Sequence, residues 1–205
     1  MRVTREKVAE HRRAILDTAS RLFRERGFGD VGVAEIMQAS GLTHGAFYGH
    51  FRSKAHLAEE ACRDAFQKSR AEWSAVPSLW SIIERYVSIL HRDAPSKGCP
   101  MSAFGAEIAR QPEHVQTQYA DGLRHQLGRI AELLPPGGTP AERHADSITL
   151  MASMVGAITL ARGLSSTDPA LSEEILASVR DSLRRHVIEE HGTAKACVQT
   201  GEAAE

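Results

Sequence analysis

Residues 15–57 read ILDTASRLFRERGFGDVGVAEIMQASGLTHGAFYGHFRSKAHL, and the punctuation of that string decides the fold. Ile15, Ala19, Leu22 and Phe23 recur at three- and four-residue steps, and with Val8 upstream they make one side of an amphipathic helix. Thr4 is placed to cap its start. Gly27 predicts its end, as a glycine just past the last periodic residue commonly does, with Phe28 folding back onto the helix. Val33, Ile36 and Met37 predict a second, short helix to about Ala39. Ser40-Gly41-Leu42 then interrupts the pattern with a glycine able to take a positive φ. Thr43, whose hydroxyl can accept an orphan backbone N–H, restarts a helix over His44 to His50. Two short helices across a glycine turn is helix-turn-helix spacing, in which the second helix is small enough to enter a major groove.

Outward from there the chain stays helical. Ser53 predicts the N-cap of a longer helix with Leu57, Ala61 and Phe66 on one side, stopped by Pro77. Arg52 and Lys54 sit at its start, where free N–H groups and the positive end of the helix dipole suit a phosphate oxygen. Leu79, Ile82, Ile83, Tyr86, Ile89 and Leu90 form one stripe, and Met101, Phe104 and Ile108 a shorter one between Pro100 and Pro112. Val115, Tyr119, Leu123, Leu127, Ile130 and Leu134 make a third, ended by PPGG at 135–138. Thr139-Pro-Ala-Glu142 reads as a capping box with proline at the first helical position, opening a helix to about Gly163 that is apolar on more than one side. A last helix carries Leu171, Ile175, Val179, Leu183 and Val187, and from Gly192 a polar tail reads as disordered. No strand alternation occurs, so the expected fold is all-α with about nine helices and no repeat.

Composition narrows the class. The 205 residues are 42% hydrophobic and 25% charged, ordinary for a globular chain. Three cysteines (Cys62, Cys99, Cys197) lack paired metal-type spacing, which argues against a disulfide framework or a structural zinc site. Of the ten histidines, His44, His50 and His56 follow each other at six-residue steps and His186 and His191 are five apart, so none of these pairs aligns two ligands on one helical face. No metal and no cofactor is expected. The start MRVTREKVAEHRR has no signal-peptide core, and the most apolar stretch, 148–161, is interrupted by Thr, Ser and Gly; a cytoplasmic chain with no membrane span is expected. The net charge of -1 hides an asymmetry. Residues 1–56 hold 10 Lys plus Arg against 6 Asp plus Glu, net +4, while the remainder holds 15 against 20, net -5. A basic front on an acidic body suits one end to a polyanion.

At Ile15, Ala19, Leu22, Phe23, Gly27, Phe28, Val33, Ile36, Gly41, Leu42, Gly45, Phe47, Tyr48, His50, Phe51, Lys54 and Leu57, the segment resembles the DNA-binding part of the TetR family of transcriptional regulators. GCPMSAFGAEIARQ is similar to a segment common in one branch of that family. The resemblance implies a three-helix reader at residues 1–52, a helical effector-binding and dimerisation domain at 53–191 and a disordered tail at 192–205. It further implies a homodimer, paired through the last two helices, that binds a palindromic DNA operator as a repressor and is released by a small molecule. The chain departs from the family pattern at Gly32, where a Ser or Thr generally caps the second helix, and at Ala34, where a longer side chain is common.

On this reading Thr43, His44, Gly45, Ala46, Tyr48, His50 and Lys54 meet DNA, while Leu42, Phe47 and Phe51 stay in the core. Gly45 has no side chain to hold the backbone off the duplex, Tyr48 can offer its hydroxyl to a phosphate, His50 can donate to one or cap the helix end, and Lys54 is the clamp. Trp80, Tyr86, Cys99, Met101, Phe104, Tyr119 and Met151 are the pocket candidates, although at helical spacing each also reads as core. Cys99, at a helix start, reads either as a small buried hydrophobe or as an activated thiol. Two rivals remain: a helical-bundle enzyme, for which no Ser/His/Asp, Cys/His or paired-carboxylate constellation stands out, and an architectural DNA binder without sequence choice.

Overall fold

The fold is that of a computed structural model, which describes residues 4–185. Among them run nine α-helices: α1 (Arg5–Asp30), α2 (Val33–Ala39), α3 (Lys54–Ser74), α4 (Leu79–Tyr86), α5 (Ile89–Asp93), α6 (Pro100–Phe104), α7 (Glu113–Leu133), α8 (Pro140–Leu164) and α9 (Pro169–Arg185). Three 3₁₀ turns, His44–Gly49, Pro95–Lys97 and Ile108–Arg110, complete the described elements, and no strand occurs among them. The all-α expectation holds. The expected end of the last helix at Val187, the tail from Gly192, Cys197, His186 and His191 lie outside the described residues.

The helices start where the sequence places caps. Thr4 Oγ1 accepts the Lys7 N–H at 3.3 Å, and Ser53 Oγ accepts that of His56 at 3.1 Å. At α8 the capping box closes in both directions: Thr139 Oγ1 takes the Glu142 N–H at 3.2 Å, and Glu142 Oε2 takes the Thr139 N–H at 2.6 Å. Gly27 breaks α1 as expected, with φ 86° and ψ 169°, and the Phe28 ring folds back to 5.1 Å from Phe23. The helix does not stop there; it resumes for one turn to Asp30.

Two expectations need correction. Ile89 and Leu90 do not extend the Leu79–Tyr86 stripe, because Val87 leaves helical geometry at ψ 68° and Ser88 opens a new helix by accepting the His91 N–H at 3.2 Å. The interruption turns Ile89 and Leu90 outward, at 45% and 84% exposure. The third reader element is a 3₁₀ turn rather than an α-helix, and the Thr43 hydroxyl makes no cap bond.

The described chain gathers into two compact units. One holds the residues up to Ala71 together with Ala94–Leu123; the other holds Glu72–Asp93 and the chain from Arg124 onward. In the first unit α1 packs on α2, α6 and the Pro95–Lys97 turn around Ile15, Phe23, Phe47, Phe51 and Phe104. In the second, α8 lies along α9 and also meets α5 and α4, burying Leu150, Met154, Ile158 and Ala161. By length and composition α8 is apolar enough to cross a membrane, with 39% of its most apolar window buried.

Candidate nucleic-acid interface

The reader is built from the turn outward. Gly41, at φ 72°, ends α2: the Leu42 N–H reaches Met37 O at 2.9 Å and the Gly41 N–H reaches Gln38 O at 3.0 Å, the two bonds of a Schellman motif. The chain is thereby turned into the His44–Gly49 segment within three residues. There the Ala46 N–H donates to Thr43 O at 3.0 Å and the His50 N–H to Phe47 O at 2.9 Å. A period of three eclipses residues three apart, so Gly45 and Tyr48 share one edge and Phe47 aligns with His44 and His50. Phe47 and Phe51, each 1% exposed, anchor the turn, with their rings stacked 5.9 Å apart.

Of the seven residues expected to meet DNA, the anchors leave four exposed. Thr43, His44 and Gly45 are exposed, Ala46 is half-buried, and Tyr48 is 69% exposed with its ring edge-on to His44 at 6.3 Å. A Cβ at Gly45 would meet nothing within 4 Å and its φ is not positive, so neither packing nor backbone conformation requires glycine there. Gly32 caps α2 without a side-chain bond, in line with the departure noted above.

His50 and Lys54 are less free than the exposed rim. His50 is half-buried, its Nδ1 is buried without a hydrogen-bond partner, and its ring lies 6.2 Å from that of His11. Burial lowers its pKa, and the nearby His11 and Arg12 lower it further. Lys54 Nζ donates to the Gly29 carbonyl at 3.4 Å, which ties the cation to the end of α1. Arg52, the exposed neighbour in the Arg-Ser-Lys run, adds a cation that the set of named contact residues omitted. Behind the turn, Arg12 lies 4.8 Å from the Phe51 ring centroid and pairs with Glu60, which also holds His56 Nε2 at 3.0 Å.

The seven pocket candidates divide between the two units. Cys99, Met101, Phe104 and Tyr119 belong to the first unit, and Trp80, Tyr86 and Met151 to the second. Met101, Phe104, Tyr86 and Met151 are between 0% and 4% exposed, as core residues are, and Cys99 is buried at the N-cap of α6. Tyr119 donates its hydroxyl to Met101 O at 3.2 Å, and burial, with Cys99 and Cys62 adding to it, pushes its pKa up to about 12. Trp80 is half-buried under the Arg184 guanidinium at 5.6 Å. A cleft of about 340 Å³ in the second unit is lined by Ser74, Arg124, His125, Gly128, Arg129 and Glu132, none of which the sequence singled out.

Residues 15–61, the segment that carries this geometry, match the model of the bacterial regulatory proteins of the tetR family. The matched segment, 47 of the 205 residues, is similar to the DNA-binding part of the TetR family. Among TetR-family relatives, the transcriptional regulator AcrR of Shigella flexneri is 42% identical over 59 residues, covering 29% of this chain and 27% of its own length. The alignment thus spans little more than a quarter of that regulator. A transcriptional repressor of Mycobacterium tuberculosis is 26% identical over 90% of this chain and 98% of its own. A TetR regulator from Chloroflexus aurantiacus shares the fold with a TM-score of 0.74 at 21% identity, over 90% of this chain and 97% of that one.

Proposed function

We propose that this chain is a TetR-family transcriptional repressor that binds a near-palindromic operator as a homodimer and leaves it when a small molecule binds. In this reading residues 1–52 are the reader and 53–191 the effector-binding and dimerisation part. The observation that carries it is the rim of Thr43, His44, Gly45 and Tyr48, exposed on a turn whose apolar residues are consumed by the core. Such a rim, with Ala46 and His50 at its edge and Lys54 and Arg52 beside it, offers donors to base edges and phosphates on an element narrow enough for a major groove.

The name of the Mycobacterium tuberculosis relative favours repression over activation. Dimerisation is supported by the outer side of α8 and α9, where Leu160 is 59%, Ile148 46% and Leu171 41% exposed; a second copy of the same two helices would cover them. A ligand response is supported by the fold, since a chain from Saccharomonospora viridis with a TM-score of 0.65 to this one was solved with choline. The ligand would shift the population by binding the conformer off DNA more tightly.

Nuclease protection on the DNA flanking the gene tests the reading. A protected, near-palindromic site with half-sites about one helical turn or a multiple of it apart is expected, bound about 10³-fold or more tighter than bulk duplex. Binding without any preferred site would make the protein an architectural DNA binder. Turnover of a small molecule with no duplex binding would make it an enzyme.

A further inference from the structure

A reader binds tightly only if it is held at a set angle, and one carboxylate far along the chain is placed to hold this one. Within the first unit, Glu107 lies between α6 and the Ile108–Arg110 turn. Its Oε2 accepts the backbone N–H of Phe28 at 2.8 Å and of Gly29 at 3.2 Å. Those amides follow the break at Gly27, so the single turn that resumes there has no acceptor for them within the helix. A carboxylate at that position satisfies both and faces the positive end of the turn. Gly27 leaves the space for it: a Cβ built there would lie 1.8 Å from Glu107 Oε1.

Other contacts converge on the same corner. Lys54 Nζ donates to the Gly29 carbonyl at 3.4 Å, so Gly29 is gripped through its N–H by an acid and through its carbonyl by a base. Arg24 donates to Gly98 O at 3.2 Å, and the rings of Phe28 and Phe104 are 4.7 Å apart. The corner is the elbow that leads from α1 into α2 and so into the exposed rim.

We propose that Glu107 is a positioning residue for DNA binding: its carboxylate clamps the α1–α2 elbow and sets the angle at which the Thr43–Tyr48 rim meets the duplex. The proposal rests on the regulator reading above. Glu107 touches no DNA in this scheme, so removing it changes how well the reader is held and leaves the number of phosphate contacts alone.

The test uses the full chain and a duplex bearing its footprinted site, with hydrogen exchange at the Phe28 and Gly29 amides measured in parallel. Glu107→Ala is expected to speed exchange at those amides tenfold or more and to weaken duplex binding by at least tenfold with an unchanged salt slope. Glu107→Gln, which keeps one carbonyl acceptor, should recover part of both; it also carries the test if the alanine variant does not fold. Duplex affinity within twofold of wild type in either folded variant, or unchanged exchange at the two amides, overturns the clamp. A wild-type chain that binds no duplex overturns the regulator reading, and the clamp's role in DNA binding with it.

Discussion

Gly27→Ala is the sharpest probe of the elbow, because the substitution meets two separate penalties. Its backbone, at φ 86° and ψ 169°, lies in a region used essentially by glycine alone, and forcing a Cβ into it costs about 1–3 kcal/mol. The added methyl also falls 1.8 Å from Glu107 Oε1 and must push the carboxylate aside. The Phe28 and Gly29 amides then lose their charged acceptor, which costs a further ~1–3 kcal/mol. The sum, about 2–6 kcal/mol, is a large part of the roughly 5–15 kcal/mol that keeps a domain folded. At about 2–4 °C per kcal/mol for a chain of this size, the melting temperature should drop on the order of 5–20 °C. Urea unfolding of a double-mutant cycle separates the parts. In a Glu107→Ala background only the backbone penalty remains, so the same glycine substitution should cost about 1–3 kcal/mol less there. A cost under about 0.5 kcal/mol in the wild-type background, the size of an ordinary surface substitution, or an equal cost in both backgrounds, would refute the reasoning.

Other perturbations have equally defined outcomes. Tyr48→Ala removes a ring that is 69% exposed, so stability should stay within about 0.5 kcal/mol while duplex affinity falls about tenfold or more, the loss of one hydrogen bond to a charged group; denaturation and fluorescence anisotropy on the same variant check it, and a large stability loss would place the ring in the core. Gly122→Ala puts a Cβ 2.3 Å from the Phe66 ring and should destabilise by about 1–3 kcal/mol through overpacking, read as a shift of the urea midpoint without a change of slope. His91, with its pKa lowered to about 4 chiefly by burial, stays neutral in the folded chain where the unfolded chain takes up a proton near its ordinary value of 6.5. Its contribution is therefore complete above pH 6.5 and is lost as pH falls towards 4, by about 3 kcal/mol in all; His91→Phe should flatten the pH dependence of the urea midpoint in that window, and an unchanged slope would rule the assignment out.

The features legible in the sequence are those whose partners lie three or four residues away. Thr4, Ser53 and Thr139 each cap through an amide three residues on, and Gly41 turns the chain through bonds to the last turn of α2, so local composition contains the whole interaction. Where the partner is distant, the string is silent. Nothing around Gly27 announces Glu107, 79 residues beyond Phe28, and nothing in the periodic run through Leu90 announces that Val87 leaves the helix. The 3₁₀ geometry of His44–Gly49 is a further case, since a six-residue segment with glycine at its second and last positions fits either helical period equally well by apolar spacing.

The exposed rim and the pocket candidates follow the same kind of apolar spacing, yet only the rim can be told from the core by it. A rim is defined by subtraction: with Phe47 and Phe51 inward at 1% exposure, Thr43, His44 and Tyr48 are left outside, while Ala46 and His50 stay half-buried. A pocket is an apolar surface turned inward, and its lining obeys the same spacing as the core. Met101 at 1% and Met151 at 3% exposure satisfy either reading, and they fall in different compact units. Helical periodicity reports which side of a helix avoids water; it carries no information on whether the space opposite is filled by another side chain or by a ligand.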